Sequence, residues 1–303
     1  MLSLPRLQLI CAALLMSTGG AAIKGCESFS SWQIASFRAG IAATILLLAV
    51  PGIRRHWNWR TVSIGAAYAG ASVLFVLANK LTTAANAIYL QCTYPIAVVL
   101  LSTCFLKEPL RRRDAFFMMA LAAGLAFFFF GGTQASASAP DPVRGNMMAM
   151  VSGLFWAITV TGLRWLTQRG GREEVSGAAA VAIGCLIACV ITLPFALPVQ
   201  ESSVADWLIV AYLGCFGIAL VFILINRALK KVSAIEAGLL LLIEPALNPL
   251  WAWALQGENP GLPAMAGGVI ILVATAFHPC WPTDGDPALV DSRLPAEVVI
   301  DKD

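Results

Sequence analysis

The chain has 303 residues, of which 59% are hydrophobic and 12% charged, with a formal net charge of +3 and a mean hydropathy of +0.79. Soluble domains carry about 25% charged residues, so this composition excludes a water-facing fold of this length, and so small a charge is no nucleic-acid signal. What it fits is a series of apolar stretches of roughly 20 residues, each long enough to cross a bilayer as a helix.

Lipid offers the backbone no hydrogen-bond partners, so spans are helices or the strands of a closed barrel. Alternating ten-residue strands, the mark of a barrel, are absent. The hydropathy pattern predicts ten helices, at 7–25, 32–50, 61–79, 84–105, 114–131, 145–165, 176–198, 206–226, 233–255 and 262–281. The fold class expected is an all-α polytopic membrane protein, with the lipid bilayer as its solvent.

The first apolar run follows Arg6 and carries the small residues Gly19, Gly20, Ala21 and Ala22, but continues past them. It reads as a span rather than a signal peptide. Lys24 falls at its end, a place expected to be interfacial. The second span carries Arg38 several residues in. Its place near the outer end favours snorkelling to the interface or a structural pair, with a carboxylate cargo as the other reading. The fourth span holds Asn86, Gln91 and Tyr94, polar groups suited either to lining a cavity or to hydrogen-bonding a neighbouring helix, and Pro95, which breaks the helix there. Trp156, midway along the sixth, offers a flat face for an amphipathic cargo or for core packing.

The ninth span contains Leu-Leu-Ile-Glu-Pro, which places Glu244 near mid-helix. An ionisable group at that depth costs about 2.5–3.5 kcal/mol on insertion scales, so it needs a reason. Proton uptake, a cationic part of a cargo, or a structural hydrogen bond would each supply one. Pro245 cannot donate to the carbonyl of Leu241, and Pro249 leaves that of Pro245 free. Asn248 and Trp251 share the Glu244 face at i+4 and i+7. The glycines scattered through the spans suit close helix packing. After Trp281 the composition turns to proline and acidic residues, from Asp284 to Asp303, which reads as a disordered acidic tail.

Basic residues alternate with the loops. Arg54, Arg55 and Arg60 lie between spans 2 and 3, and Lys107 and Arg111 to Arg113 between 4 and 5. Arg164, Arg169 and Arg172 lie at or between 6 and 7, and Arg227, Lys230 and Lys231 between 8 and 9. The opposite side carries only Lys24, Lys80 and Arg144. The positive-inside rule puts the rich side and both termini in the cytoplasm.

Catalytic and metal motifs are missing. The two histidines, His56 and His278, are far apart, and no G-x-S-x-G, H-E-x-x-H or Walker sequence occurs. Cys185 and Cys189 share a helix face but have no histidine partner, so they read as small packing residues. Neither an enzyme nor a cofactor is expected.

Tyr94-Pro95 and Glu244-Pro245 stand 150 positions apart, as do Glu108 and Glu258. Ala84-Ala85-Asn86-Ala87 loosely matches Ala234-Ile235-Glu236-Ala237. The chain therefore reads as two five-helix repeats, 1–131 and 145–281, joined by a loop at 132–144 and followed by the tail at 282–303. Five is odd, so the second repeat is inverted in the membrane, an arrangement typical of secondary transporters with a midplane site.

The stretch from Ala228 to Pro245, Ala-Leu-Lys-Lys-Val-Ser-Ala-Ile-Glu-Ala-Gly-Leu-Leu-Leu-Leu-Ile-Glu-Pro, with Gly257-Glu258 after it, resembles EamA-type members of the drug/metabolite transporter superfamily. So do Tyr212-Leu-Gly-Cys-Phe-Gly-Ile-Ala, Leu106-Lys107-Glu108-Pro109, Ala21-Ala22-Ile23-Lys24 and Phe37-Arg38. In place of the family's aromatic residue and asparagine on the first helix, this chain has Met16 and Gly19, which points to a different or roomier pocket. The resemblance implies a secondary transporter in a bacterial inner membrane. It would move a small metabolite such as an amino acid by alternating access, with export the family's commoner direction and proton coupling a possible accompaniment. A nucleotide-sugar or sugar-phosphate exchanger, or a channel with the same spans, is the alternative.

Overall fold

The structure is a computed structural model. It describes residues 3–105, 112–130, 136–167, 173–199, 202–228, 231, 240–241, 243–259 and 261–277. The acidic tail, Lys107, Glu108, Glu236 and His278 lie outside the described residues. Those described form helices α1 (Leu4–Gly25), α2 (Ser31–Ala49), α3 (Trp59–Leu81), α4 (Ala84–Gln91), α5 (Tyr94–Phe105) and α6 (Arg112–Phe130). These are followed by α7 (Pro142–Thr167), α8 (Glu173–Ala196), α9 (Val204–Ala228), α10 (Ile243–Gln256) and α11 (Gly261–Phe277). Six stretches, in α1, α2, α3, α7, α8 and α9, are long and apolar enough to cross a membrane unaided; shorter apolar helices accompany them.

Helix starts follow from short polar signals. Ser30 and Gln33 close a reciprocal capping box at α2, Asn58 and Thr61 do so at α3, and Ser203 and Asp206 at α9. Each satisfies amides that the first helical turn leaves without partners. The Thr83 hydroxyl accepts from the Asn86 amide and starts α4.

The span expected at 84–105 is not continuous. It breaks after Gln91 and resumes at Tyr94. Pro95 has no N–H to offer the Gln91 carbonyl, and its ring opposes a helical turn there. The freed carbonyl lies against Gly153 of α7, where a Cβ would come within 2.9 Å of it. The Thr93 hydroxyl donates to the Leu90 carbonyl at 2.6 Å, satisfying a further group at the break. A second irregularity is a π-helical turn in α9 over Leu213–Leu220, the kind of bulge that often accompanies function. At Gly214 in that segment, α9 approaches α2 so closely that a Cβ would stand 2.8 Å from the Arg38 carbonyl.

Helix pairing follows a pattern. α3 packs on α7, and α9 on α1; α3 packs on α8, and α9 on α2; α4 and α5 pack on α7, and α10 on α1. α2 pairs with α8, and α6 with α11. Each pairing maps onto another, or onto itself, when α1, α2, α3, α4–α5 and α6 are exchanged for α7, α8, α9, α10 and α11.

The distribution of side chains is that of a protein in lipid. Leu48, Val190, Ile191, Phe195, Trp253 and Leu255 stand exposed on helix faces, while Ser36, Asn79, Ser152 and Thr192 are buried between helices. The backbones of α3 and α8 cross closely. A Cβ on Gly184 would lie 2.5 Å from the Gly65 carbonyl, and one on Gly65 2.8 Å from the Ala180 carbonyl. Arg60 lies over the rings of Trp59 and Trp165, an arrangement that suits a membrane–water boundary.

Candidate functional site

A cavity of about 460 Å³ lies among α1, α2, α3, α4, α5, α7, α9, α10 and α11, within the range of about 300–1,000 Å³ common for small-molecule sites. Its walls come from both segments of the chain. Tyr68, Phe75, Trp156 and Phe222 give it aromatic faces. The Tyr68 ring lies 6.1 Å from that of Trp156 and 5.6 Å, edge-on, from that of Phe222. The π-helical turn contributes Leu213, Gly217 and Ile218, and α1 contributes Met16 and Gly19.

Of the residues singled out in the sequence, Arg38, Gln91, Tyr94, Trp156, Glu244 and Pro245 line this cavity. Arg38 does not snorkel to the interface. It is 6% exposed, and its Nη2 donates to the carbonyl and the hydroxyl of Ser72, each at 2.9 Å. The guanidinium is held inward on Ser72 of α3, and the close approach at Gly214 packs α9 against α2 beside it. Gln91 donates through Nε2 to the Ser152 hydroxyl at 2.9 Å, and Ser152 in turn donates to the Ala71 carbonyl at 2.8 Å. A carbonyl of α3 is thereby joined through α7 to the edge of the cavity.

Asn86, Pro95, Asn248, Pro249 and Trp251 lie outside the lining. Asn86 belongs to a cluster with Thr82 and Asn146, whose carbonyl oxygen accepts from the Thr82 hydroxyl at 2.8 Å. Asn248 is 1% exposed and lies against Gly20, where a Cβ would meet its side chain at 2.7 Å. Trp251 donates from Nε1 to Ser17 Oγ at 3.0 Å. The shared face of Asn248 and Trp251 therefore packs on α1, and only the first turn of α10 reaches the cavity. Pro95 and Pro249 act on the backbone: Pro95 accompanies the break between α4 and α5, and Pro249 is buried within α10.

The Lys24 side chain, at the end of its span, is buried rather than exposed. Its ammonium pairs with Glu258 at 2.7 Å, with side-chain exposures of 6% and 1%, and donates to the carbonyls of Thr82, at 2.7 Å, and Ser138. The other carboxylate oxygen of Glu258 accepts from the Ala84 amide at 2.8 Å. One ion pair thus ties the end of α1, the start of α4 and the loop after α10. Beside it Lys80 donates to the Cys26 carbonyl. Burial pushes the Cys26 thiol up to about 12, so the thiol stays neutral next to that ammonium.

The EamA-like transporter family model matches residues 5–130 and again 143–278. The chain belongs to the EamA-like transporter family. The family and the relatives named below are transporters, not enzymes, and the apolar helices of this EamA-like chain make it a multi-pass membrane protein. It is 28% identical over 198 residues to the threonine/homoserine exporter RhtA of Escherichia coli K12, covering 64% of this chain and 62% of that one. It is 29% identical over 199 residues to RhtA of Salmonella typhimurium LT2, with the same coverage. An uncharacterised transporter of Methanothermobacter thermautotrophicus is 22% identical over 205 residues, 67% of this chain and 58% of that one. The match therefore spans less than two thirds of the length of these curated relatives. A protein crystal structure aligns over 90% of this chain and 95% of its own with a TM-score of 0.62 at 19% identity, a likeness of fold.

Sequence reasoning passed over Tyr68, Ser72 and Asn226, which also line the cavity. Ser72 and Tyr68 carry no sequence signal apart from their neighbours, because small polar and aromatic residues recur throughout the spans. Asn226 had one: a lone amide at the end of an otherwise apolar run.

Proposed function

We propose that this protein is a secondary transporter that moves a small metabolite, an amino acid or a close relative of one, out of the cell by alternating access. The observation that carries the reading is the cavity itself. It is enclosed by helices of both matched segments, it holds Arg38 and Glu244 in an apolar wall, and it borders two proline-altered helices. Discontinuous helices at a midplane site between repeats are the usual build of such carriers.

On this reading the two segments are inverted five-helix repeats, 1–131 and 145–281. Ten crossings in all would put both termini in the cytoplasm of the inner membrane. The reciprocal pairing of helices supports the repeat. The lining runs to Leu163 and Asn226, close to the arginine-bearing ends of α7 and α9, whereas Lys24 and Glu258 tie the opposite ends together. Both features favour a conformation closed on the outer side. The names of the RhtA relatives favour an amino acid as cargo and export as direction. A nucleotide-sugar exchanger would want several cations in the cavity, and among the described residues Arg38 is the one cation in its lining.

The test is counterflow in proteoliposomes loaded with L-threonine, L-homoserine or a panel of other amino acids. Saturable uptake stimulated by internal substrate supports a carrier; unsaturable flux would make it a channel. Glu244→Gln tests proton coupling in the same vesicles. Uptake that keeps its dependence on the pH gradient removes that role from Glu244.

A further inference from the structure

A guanidinium and a carboxyl group line one cavity, and no ion pair joins them. Arg38 is buried, and Ser72 accepts from Nη2 only. Its Nε is buried with no acceptor, and no carboxylate pairs with it among the described residues. A guanidinium offers five N–H donors in a planar fork that fits a carboxylate. Glu244 lines the same cavity, in the first turn of α10, and has neither a cationic partner nor a hydrogen bond to any described residue.

A buried guanidinium calls for an anion and a buried carboxyl, once ionised, for a cation, and a cargo neutral overall but charged at both ends answers both. A lone cargo carboxylate would leave Glu244 unanswered, and a lone amine would leave Arg38 so. Extending the transporter reading above, on which this step rests, we infer that the cavity binds a zwitterion. The cargo's carboxylate sits on the free edge of the Arg38 guanidinium and its ammonium against Glu244. Ser72 acts as the positioning residue that fixes the guanidinium, and the aromatic faces of Tyr68, Trp156 and Phe222 take an apolar side chain.

The experiment is a binding series on the purified full-length protein, read by ligand-induced thermal stabilisation and by calorimetry. The probes are L-phenylalanine, its amide (which lacks the carboxylate) and 3-phenylpropionate (which lacks the amine). The unaltered protein is expected to bind the amino acid at least tenfold more tightly than either analogue. In R38M the amino acid and its amide bind alike; in E244Q the amino acid and 3-phenylpropionate bind alike. Equal binding of amino acid and amide by the unaltered protein overturns the Arg38 assignment, and equal binding of amino acid and 3-phenylpropionate overturns that of Glu244. Because these comparisons use the unaltered chain, they decide even where a variant fails to fold. If none of the three probes binds and saturable counterflow is confined to metabolites that are not zwitterions, the zwitterion inference falls and the transporter reading stands.

Discussion

Replacing Lys24 by methionine removes the counter-ion of a carboxylate that is 1% exposed. Glu258 would keep only the Ala84 amide, and the carbonyls of Thr82 and Ser138 would lose their shared donor. Breaking a buried pair from one side costs about 3–5 kcal/mol, because it strands a charge. Glu258→Gln strands the ammonium instead, although its two carbonyl acceptors remain, so its cost falls toward the lower end of that range. Removing both charges together in K24M/E258L strands neither, and the double variant is expected to lose at least about 2 kcal/mol less than the sum of the single losses. The assay is thermal unfolding of the detergent-purified protein, followed by tryptophan fluorescence and closed as a double-mutant cycle. With roughly 2–4 °C per kcal/mol for domains of 150–250 residues and less for a longer chain, K24M should melt about 5 °C or more below the parent. A cycle additive within about 0.5 kcal/mol, or a K24M loss below about 1 kcal/mol, the range of exposed pairs, would refute the argument that this pair is buried and shared by three elements.

Gly184→Val should cost about 1–3 kcal/mol through overpacking, since even its Cβ would lie 2.5 Å from the Gly65 carbonyl. Gly177→Ala, whose nearest neighbour would be 3.8 Å away, should leave the melting temperature unchanged or raise it slightly, since alanine favours a helix over glycine. Equal melting of the two variants would remove the close crossing of α3 and α8. In a cysteine-free background, Arg55→Cys and Ser136→Cys place thiols at exposed loop positions on opposite predicted sides. An impermeant maleimide added to intact cells should label the second and spare the first; labelling both from outside contradicts the orientation drawn from the basic loops.

The helical, membrane-embedded class was legible because lipid imposes its rule on every residue of a span at once. Composition alone reports it, and the family match agrees. The break after Gln91 was half legible. Pro95 announced a disturbed helix, but where the freed carbonyl would go depended on Gly153, sixty-odd positions later and one glycine among many. The face of α10 misled for a related reason. Spacing put Glu244, Asn248 and Trp251 on one side, but α1 covers the helix beyond the first turn, with Gly20 admitting Asn248 and Ser17 accepting from Trp251. Periodicity tells which residues share a face and not how far along it a neighbour reaches.

The same limit explains Arg38 and Lys24, both assigned by their nearness to span ends. Depth in a helix predicts exposure only while the helix stands alone. Ser72 of α3 holds Arg38 inward, and Gly214 lets α9 pack against α2 beside it. Glu258, brought back by the turn after α10, draws Lys24 inward and occupies the Ala84 amide at the start of α4. The two cations then part in character. Lys24 has a carboxylate and two carbonyls and joins three elements, whereas Arg38 has one serine and an unused Nε–H at a cavity wall. A cation whose donors are all engaged within the protein serves its architecture. One held along a single edge in an apolar wall keeps its remaining donors for something the protein does not itself supply.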